Sequence, residues 1–126
     1  MVQTEKGSRM LTIRNKRAYE PPSDEDGIRI LVDRLWPRGL TKEKLQITAW
    51  LKEVAPSNAL RQQVHQDPDQ WDQFVEAYHQ ELDANPQAVQ TLLEYARQGT
   101  LTLIYGARDT VHNNAVVLKQ YLEKYL

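Results

Sequence analysis

Two apolar segments constrain the fold of this chain more than any other sequence feature. Ile28–Asp33 and Leu101–Tyr105 are short, mostly apolar runs, and turn-forming residues lie at both ends of each run. Runs of this kind are typical of β-strands that are covered on both faces, as in parallel sheets. Helical patterns lie between the two segments and after the second one. We therefore predict an α/β fold, with a small, mostly parallel sheet of about three to four strands covered by about five helices in a single domain.

Helix-start signals divide the second half of the chain. Asp67-Pro68 and Asn85-Pro86 each combine a capping residue with proline at the first helical position. Apolar residues in Trp71–Leu82 recur at the spacing of one helical face, which is the clearest amphipathic pattern in the chain. Asp109 or Thr110 is predicted to cap a last helix. The inward residues predicted for that helix are Val111, Ala115, Leu118 and Leu122.

The first half of the chain gives shorter patterns. Leu11–Arg14 alternates apolar and polar residues, which predicts a half-buried strand. Thr41 is predicted to cap a short helical turn, and Ser57 is predicted to cap a longer helix. Thr48–Val54 is predicted to be helical because its apolar residues share one helical face.

The length and the first residues bear on domain organisation and location. The chain has 126 residues, within the roughly 100–150 that are commonest for one domain. Met1–Arg9 is polar, so we predict a disordered extension or a tag remnant followed by one domain over residues 10–126. No apolar run reaches the roughly 18–20 residues that a membrane-spanning helix needs. The sequence therefore predicts a cytoplasmic protein without a membrane partner.

Composition excludes several kinds of chemistry. The chain has no cysteine, which rules out disulfides, cysteine-based zinc sites and thiol catalysis within it. Its three histidines have no metal-binding spacing, so no metal site is predicted. No phosphate-binding glycine loop or nucleophile elbow is present, and no cofactor is predicted. The formal net charge of −1 argues against bulk electrostatic binding to DNA.

Both predicted strands end in polar loops. Ligands of parallel α/β sheets bind outside the carboxyl ends of the strands, so parallel strands would direct both loops into one crevice. The first loop supplies Asp33, Arg34, Trp36 and Arg38, and the second supplies Tyr105, Arg108, Asp109, His112, Asn113 and Asn114.

These residue types favour an anionic ligand. Arg34, Arg38 and Arg108 offer planar guanidinium groups that match phosphate or carboxylate. The start of the last helix adds free backbone N–H groups. Trp36 and Tyr105 are candidates for stacking on a flat group, and two asparagines, Asn113 and Asn114, are candidates for reading polar edges. The candidate catalytic groups are Asp33, Asp109 and His112.

Each of these residues also has a structural interpretation. Asp33 and Arg34 are equally suited to pairing with neighbours at the strand end. Trp36 before Pro37 is typical of a packing wedge, and Asp109 is a good helix cap. The sequence leaves these alternatives open.

Several segments resemble one protein family. The segment Arg29–Gly39, which reads RILVDRLWPRG, resembles the signature of the YeaO-like proteins, a bacterial domain-of-unknown-function family with the number 488. Trp50–Ser57 and Leu101–Asn113 also resemble that family. The resemblance extends from Met10 to the C-terminus and implies a small α/β fold in a bacterial or archaeal cytoplasmic protein.

The resemblance implies no activity, because the family is named for lacking one. Relatives in the broader group carry a Cys-His-Arg string in the turn before the last helix. This chain has Asn113-Asn114-Ala115 in about that place. Thiol chemistry of those relatives therefore does not carry over to this chain.

Three functions follow as hypotheses. The leading one is a domain that binds, or also acts on, a phosphate-bearing or otherwise anionic small molecule, with nucleotides among the candidates. The second is a nucleic-acid-associated or regulatory module, and the third is a non-catalytic partner protein that uses the Trp36 loop. The sequence leaves open whether the chain is an enzyme, and it leaves the oligomeric state open. The basic residues that the second hypothesis would use are Arg14, Lys16, Arg17, Arg34 and Arg38.

Overall fold

A parallel sheet organises the computed structural model, which describes residues 12–66 and 68–126. Its strands are β1 (Ile13–Arg17), β2 (Ile28–Leu31), β3 (Ala49–Trp50) and β4 (Leu101–Tyr105). The spatial order is β1-β4-β2-β3, and each neighbouring pair runs parallel. The predicted small α/β domain with a parallel sheet is confirmed.

Five α-helices accompany the sheet in the described ranges. They are α1 (Lys42–Leu45), α2 (Asn58–Gln66), α3 (Trp71–Asp83), α4 (Pro86–Gln98) and α5 (Asn114–Glu123). Short 3-10 helices cover Asp24–Asp26, Lys52–Val54 and Pro68–Gln70.

The predicted starts of three helices are confirmed. The Thr41 hydroxyl accepts a hydrogen bond from the backbone N–H of Lys44 at 3.2 Å, and the Ser57 hydroxyl accepts one from Leu60 at 3.3 Å. These bonds satisfy N–H groups that have no partner in the first helical turn. Pro86 occupies the first position of α4, where its missing N–H costs nothing.

Strand β4 is the centre of the sheet. All five of its residues are buried, with β1 on one side and β2 on the other. Leu103 packs into the larger core under the long helices, whereas Ile104 packs with Leu31 and Leu45 on the opposite face. Alternate side chains thus enter different cores, which explains why the strand is apolar on both faces.

The prediction of a helix over Thr48–Val54 is wrong. The structure has the short strand β3 there, followed by the 3-10 helix Lys52–Val54. Thr48 and Leu51 donate backbone hydrogen bonds to carbonyls of β2, at 2.7 and 2.9 Å. The open edge of β2 thus offers this segment backbone hydrogen bonds, and a single helical turn would not form more of them. Pairing with β2 therefore overrides the local helical pattern.

The predicted cap of the last helix is also wrong. Asn113, rather than Asp109 or Thr110, caps α5, and its side-chain oxygen accepts a hydrogen bond from Val116 N at 3.0 Å. His112 and Asn113 therefore precede the helix. Val111, predicted to point inward, is 62% exposed because it lies in the loop before the cap.

Some predictions concern residues outside the described ranges. These are the extension over Met1–Arg9 and the capping role of Asp67. Among the helices of the described ranges, none combines the length and apolar character that crossing a lipid bilayer requires.

Candidate functional site

A cavity of about 250 Å³ opens at the carboxyl ends of β2 and β4. The register that pairs Leu31 with Ile104 brings the loop after each strand to the same edge of the sheet. Residues from both loops line the cavity, and α2 and α3 contribute one side chain each. The sequence-predicted residues that line it are Asp33, Arg34, Trp36, Arg38, His112, Asn113 and Asn114.

Asp33 joins the two loops. One carboxylate oxygen accepts a hydrogen bond from Gly106 N at 2.8 Å, and the other accepts one from Asn114 Nδ2 at 3.1 Å. A Cβ at Gly106 would lie 3.2 Å from the first oxygen, so glycine permits this close approach. Burial raises the pKa of Asp33, and the two hydrogen bonds and the charge of Arg61 offset only part of that effect.

Three arginines line the cavity, and each is held differently. Arg34 donates to the backbone oxygens of Pro56 and Ala55 at 3.3 and 3.2 Å, which fixes its position without neutralising its charge. Arg38 is exposed. Arg61 has a buried Nε atom without a hydrogen-bond partner. None of the three forms an ion pair with a carboxylate whose side chain the structure describes.

Trp36 combines a packing role with a place in the cavity wall. Its Nε1 donates to Leu40 O at 2.6 Å, and its ring meets Trp50 edge-on with centroids 5.4 Å apart. Trp50 in turn donates to the backbone oxygen of Asp33 at 2.7 Å. The loop after β2 is thus fixed by two indole hydrogen bonds, which makes that wall rigid.

The loop before α5 is held by side-chain hydrogen bonds. Asn113 Nδ2 donates to Asp109 O at 2.9 Å, and Asn114 Nδ2 donates to Val32 O at 3.0 Å. Asp109 accepts from the backbone N–H groups of Val111 and His112, each at 2.9 Å. Both asparagines therefore serve the fold as well as the cavity wall.

Asp109 and His112 form an exposed pair. The His112 Nδ1 atom lies 3.1 Å from Asp109 Oδ2, and the imidazole packs edge-on against Trp71. Hydrogen bonds from the backbone and side chain of His112 and from the backbone of Val111 lower the pKa of Asp109. His112 lines the cavity, whereas Asp109 orients it from outside.

Three of the predicted site residues do not line the cavity. Tyr105 is buried in the core, and Arg108 and Asp109 are exposed on the outer side of the second loop. Conversely, Tyr19 and Arg61 line the cavity although the sequence interpretation did not select them. Tyr19 follows β1, so the rule about carboxyl ends of strands would have found it. Arg61 lies within α2, where no local pattern marks it.

The basic residues considered for nucleic-acid binding are partly committed to the fold. Lys16 forms an ion pair with the buried Asp26 at 3.1 Å. Arg14 donates to Glu25 O at 3.0 Å, and Arg17 donates to Ala107 O at 2.8 Å. The Lys16 ion pair offsets one charge that this group could offer to a phosphate backbone, whereas the bonds to backbone oxygens fix Arg14 and Arg17 in place without neutralising them.

Comparison with known proteins places the chain in a family. A family model described as "Inactive DUF488-N3 subclade" matches residues 12–126. The chain is 42% identical to "Uncharacterized protein YeaO" of Escherichia coli (strain K12) over 112 residues, which is 89% of this chain and 97% of that protein. The chain belongs to the YeaO-like DUF488 family.

Two mycobacterial proteins are less similar to this chain than YeaO is. "Uncharacterized protein Mb3100c" of Mycobacterium bovis and "Uncharacterized protein Rv3073c" of Mycobacterium tuberculosis are each 36% identical over 110 residues. Those matches cover 87% of this chain and 92% of each relative. No solved structure gives a significant match. The family match includes both loops of the cavity, but the names of these relatives do not identify a ligand.

Proposed function

We propose that the cavity binds a small phosphate-bearing or otherwise anionic molecule and holds it without converting it. The observation that carries this proposal is the charge of the cavity wall. Three arginines and one aspartate line it, in a chain whose formal net charge is −1. A concave site that concentrates positive charge in a slightly acidic protein attracts anions selectively.

The arrangement of the arginines supports the same proposal. Arg34 and Arg61 are partly buried, and their charges are not neutralised by a described carboxylate. Leaving a guanidinium partly desolvated is costly unless another group compensates it. A phosphate or carboxylate accepts two parallel N–H bonds from a guanidinium and would supply that compensation.

The absence of conversion rests on the available chemistry. The chain has no cysteine, and Asn113-Asn114 stand at the start of α5, in about the place where the resemblance implies a Cys-His pair in relatives. Both oxygens of Asp33 already accept hydrogen bonds from the protein. The description of the matching subclade as inactive agrees with a binding role.

Calorimetric titration of the purified protein with inorganic phosphate, sulfate and citrate at low ionic strength tests the proposal. We expect binding of at least one of these anions, weakened about tenfold or more by Arg38→Gln, because each charge-assisted hydrogen bond contributes roughly 1.5–3 kcal/mol. Arg97→Gln removes the same charge from an exposed site at the end of α4 and is the matched control.

The outcome that overturns the proposal is equally direct. If none of the three anions binds at millimolar concentration, the cavity is not an anion site. The same holds if Arg38→Gln and Arg97→Gln weaken binding equally, since the effect would then come from net charge alone.

A further inference from the structure

An immobilised aromatic ring borders the cavity beside the arginines. Tyr19 follows β1, and its hydroxyl donates to Arg38 O at 2.9 Å. The guanidinium carbon of Arg17 lies 5.2 Å from the centroid of the Tyr19 ring. Arg17 is itself fixed, since its Nε donates to Ala107 O at 2.8 Å. The ring is therefore held at its hydroxyl end and covered by a cation.

This ring is held in place without being buried. Tyr19 is 44% exposed and lines the cavity. Leu35, which is 61% exposed, lines the same cavity. Exposed apolar side chains at the wall of a concave site favour a ligand with an apolar or flat portion.

We propose that the ligand of this cavity carries a planar ring that stacks on Tyr19 while its anionic group meets the arginines. The matching chemical class is a nucleoside monophosphate or a similar heteroaromatic phosphate. This inference rests on the proposed function and adds the second half of the ligand. The Arg17 cation behind the tyrosine ring strengthens a stack of three planar groups. Because the ring is already fixed, little conformational freedom is lost on binding.

Titration with two ligands that share a phosphate isolates the contribution of the ring. Ribose 5-phosphate and adenosine 5′-monophosphate differ in the base, and only the base reports on stacking. We expect the wild-type protein to bind the nucleotide about tenfold or more tightly than the sugar phosphate, since stacking on an aromatic side chain is typically worth that much.

Variants of Tyr19 then assign the preference to this residue. Tyr19→Ala should remove the preference for the nucleotide over ribose 5-phosphate, a ratio that cancels any effect on Arg38, whose backbone oxygen the Tyr19 hydroxyl contacts. Tyr19→Phe keeps the ring and should keep most of the preference. Tyr125→Ala, at an exposed tyrosine of the C-terminus that does not line the cavity, is the matched control and should change neither affinity.

Failure of this inference is distinguishable from failure of the proposed function. If both phosphates bind equally, or if Tyr19→Ala keeps the preference, the stacking inference is overturned while anion binding stands. If neither phosphate binds to the wild-type protein, the stacking inference falls, and the titration with inorganic phosphate, sulfate and citrate decides whether anion binding falls with it.

Discussion

Asp33 shows how one side chain unites the two halves of the site. Its carboxylate accepts hydrogen bonds from Gly106 and Asn114, and its backbone oxygen accepts one from Trp50. These contacts join the loop after β2 to the loop after β4 and to β3. The same carboxylate is the one negative group among the described residues of the cavity wall, so it repels a bound anion.

This opposition predicts a pH dependence for anion binding. Burial raises the pKa of Asp33 above its ordinary value of 3.8, so Asp33 becomes neutral at a higher pH than a fully solvated aspartate does. We expect sulfate affinity to rise as pH falls through that pKa, because protonation removes a repulsive charge. By linkage, bound sulfate should raise the pKa of Asp33 further.

Carboxyl-carbon NMR titrations that measure the pKa of Asp33 with and without saturating sulfate check this expectation. A His112→Gln background removes the imidazole that also lines the cavity. Asp26, on the amino side of β2, is the internal control, and its pKa should not move. An Asp33 pKa that stays constant on sulfate addition would contradict a shared site.

The glycine before β2 determines how closely the start of that strand approaches β4. Gly27 precedes β2 and has a φ of +64°, and a Cβ placed there would lie 2.5 Å from Thr100 O, just before β4. Ile28 N donates to the same Thr100 oxygen at 2.9 Å. The close approach of the two backbones sets the register between β2 and β4, and hence the alignment of the loops at the far ends.

Substitution of Gly27 should therefore be more costly than substitution of a glycine in open space. We expect Gly27→Ala to lower the free energy of unfolding by about 3 kcal/mol, because it combines left-handed backbone strain with a steric clash. Gly39→Ala, at φ +83° with no atom within 4 Å of the new Cβ, should cost about 1 kcal/mol. Urea unfolding measures both, and equal costs would show that the clash does not contribute.

One buried residue, Asp26, links three of the four strands. Asp26 accepts from Arg29 Nη1 of β2 at 2.7 Å and from Lys16 Nζ of β1 at 3.1 Å. Its backbone oxygen accepts from Thr102 of β4 at 2.6 Å. Burial favours the neutral form of Asp26, but hydrogen bonds from Ser23, Lys16 and Arg29 outweigh burial and hold its pKa below 3.8.

Loss of this carboxylate should destabilise the entire molecule. We expect Asp26→Asn to lower the free energy of unfolding at pH 7 by about 3 kcal/mol, because it leaves two partly buried cations without a counter-charge. Asp24→Asn, in the same 3-10 helix but exposed, is the matched control. Urea unfolding at neutral pH gives both values.

The free energy of unfolding measured in acid gives a second test of the contribution of Asp26. Since the pKa of Asp26 is lowered on folding, its contribution is present above pH 3.8 and is lost as pH falls through the folded value. The difference between the wild-type protein and Asp26→Asn should therefore shrink below pH 3.8. A difference that is constant over this range would contradict an electrostatic origin.

The sequence alone determined the elements whose signals are local. Apolar strands such as Leu101–Tyr105 and caps such as Thr41 and Ser57 follow from residues near in sequence, because burial periodicity and capping act over a few positions. The rule that ligands bind at carboxyl ends of parallel strands then located both loops of the candidate site.

Only the tertiary structure decided the features that depend on distant partners. β3 formed where a helix was predicted because the edge of β2 offered hydrogen bonds, and Asn113 became the cap of α5 in place of Asp109. Arg61 joined the cavity because folding brought α2 beside it. Contacts between segments far apart in the chain leave no local pattern, so chain order cannot reveal them.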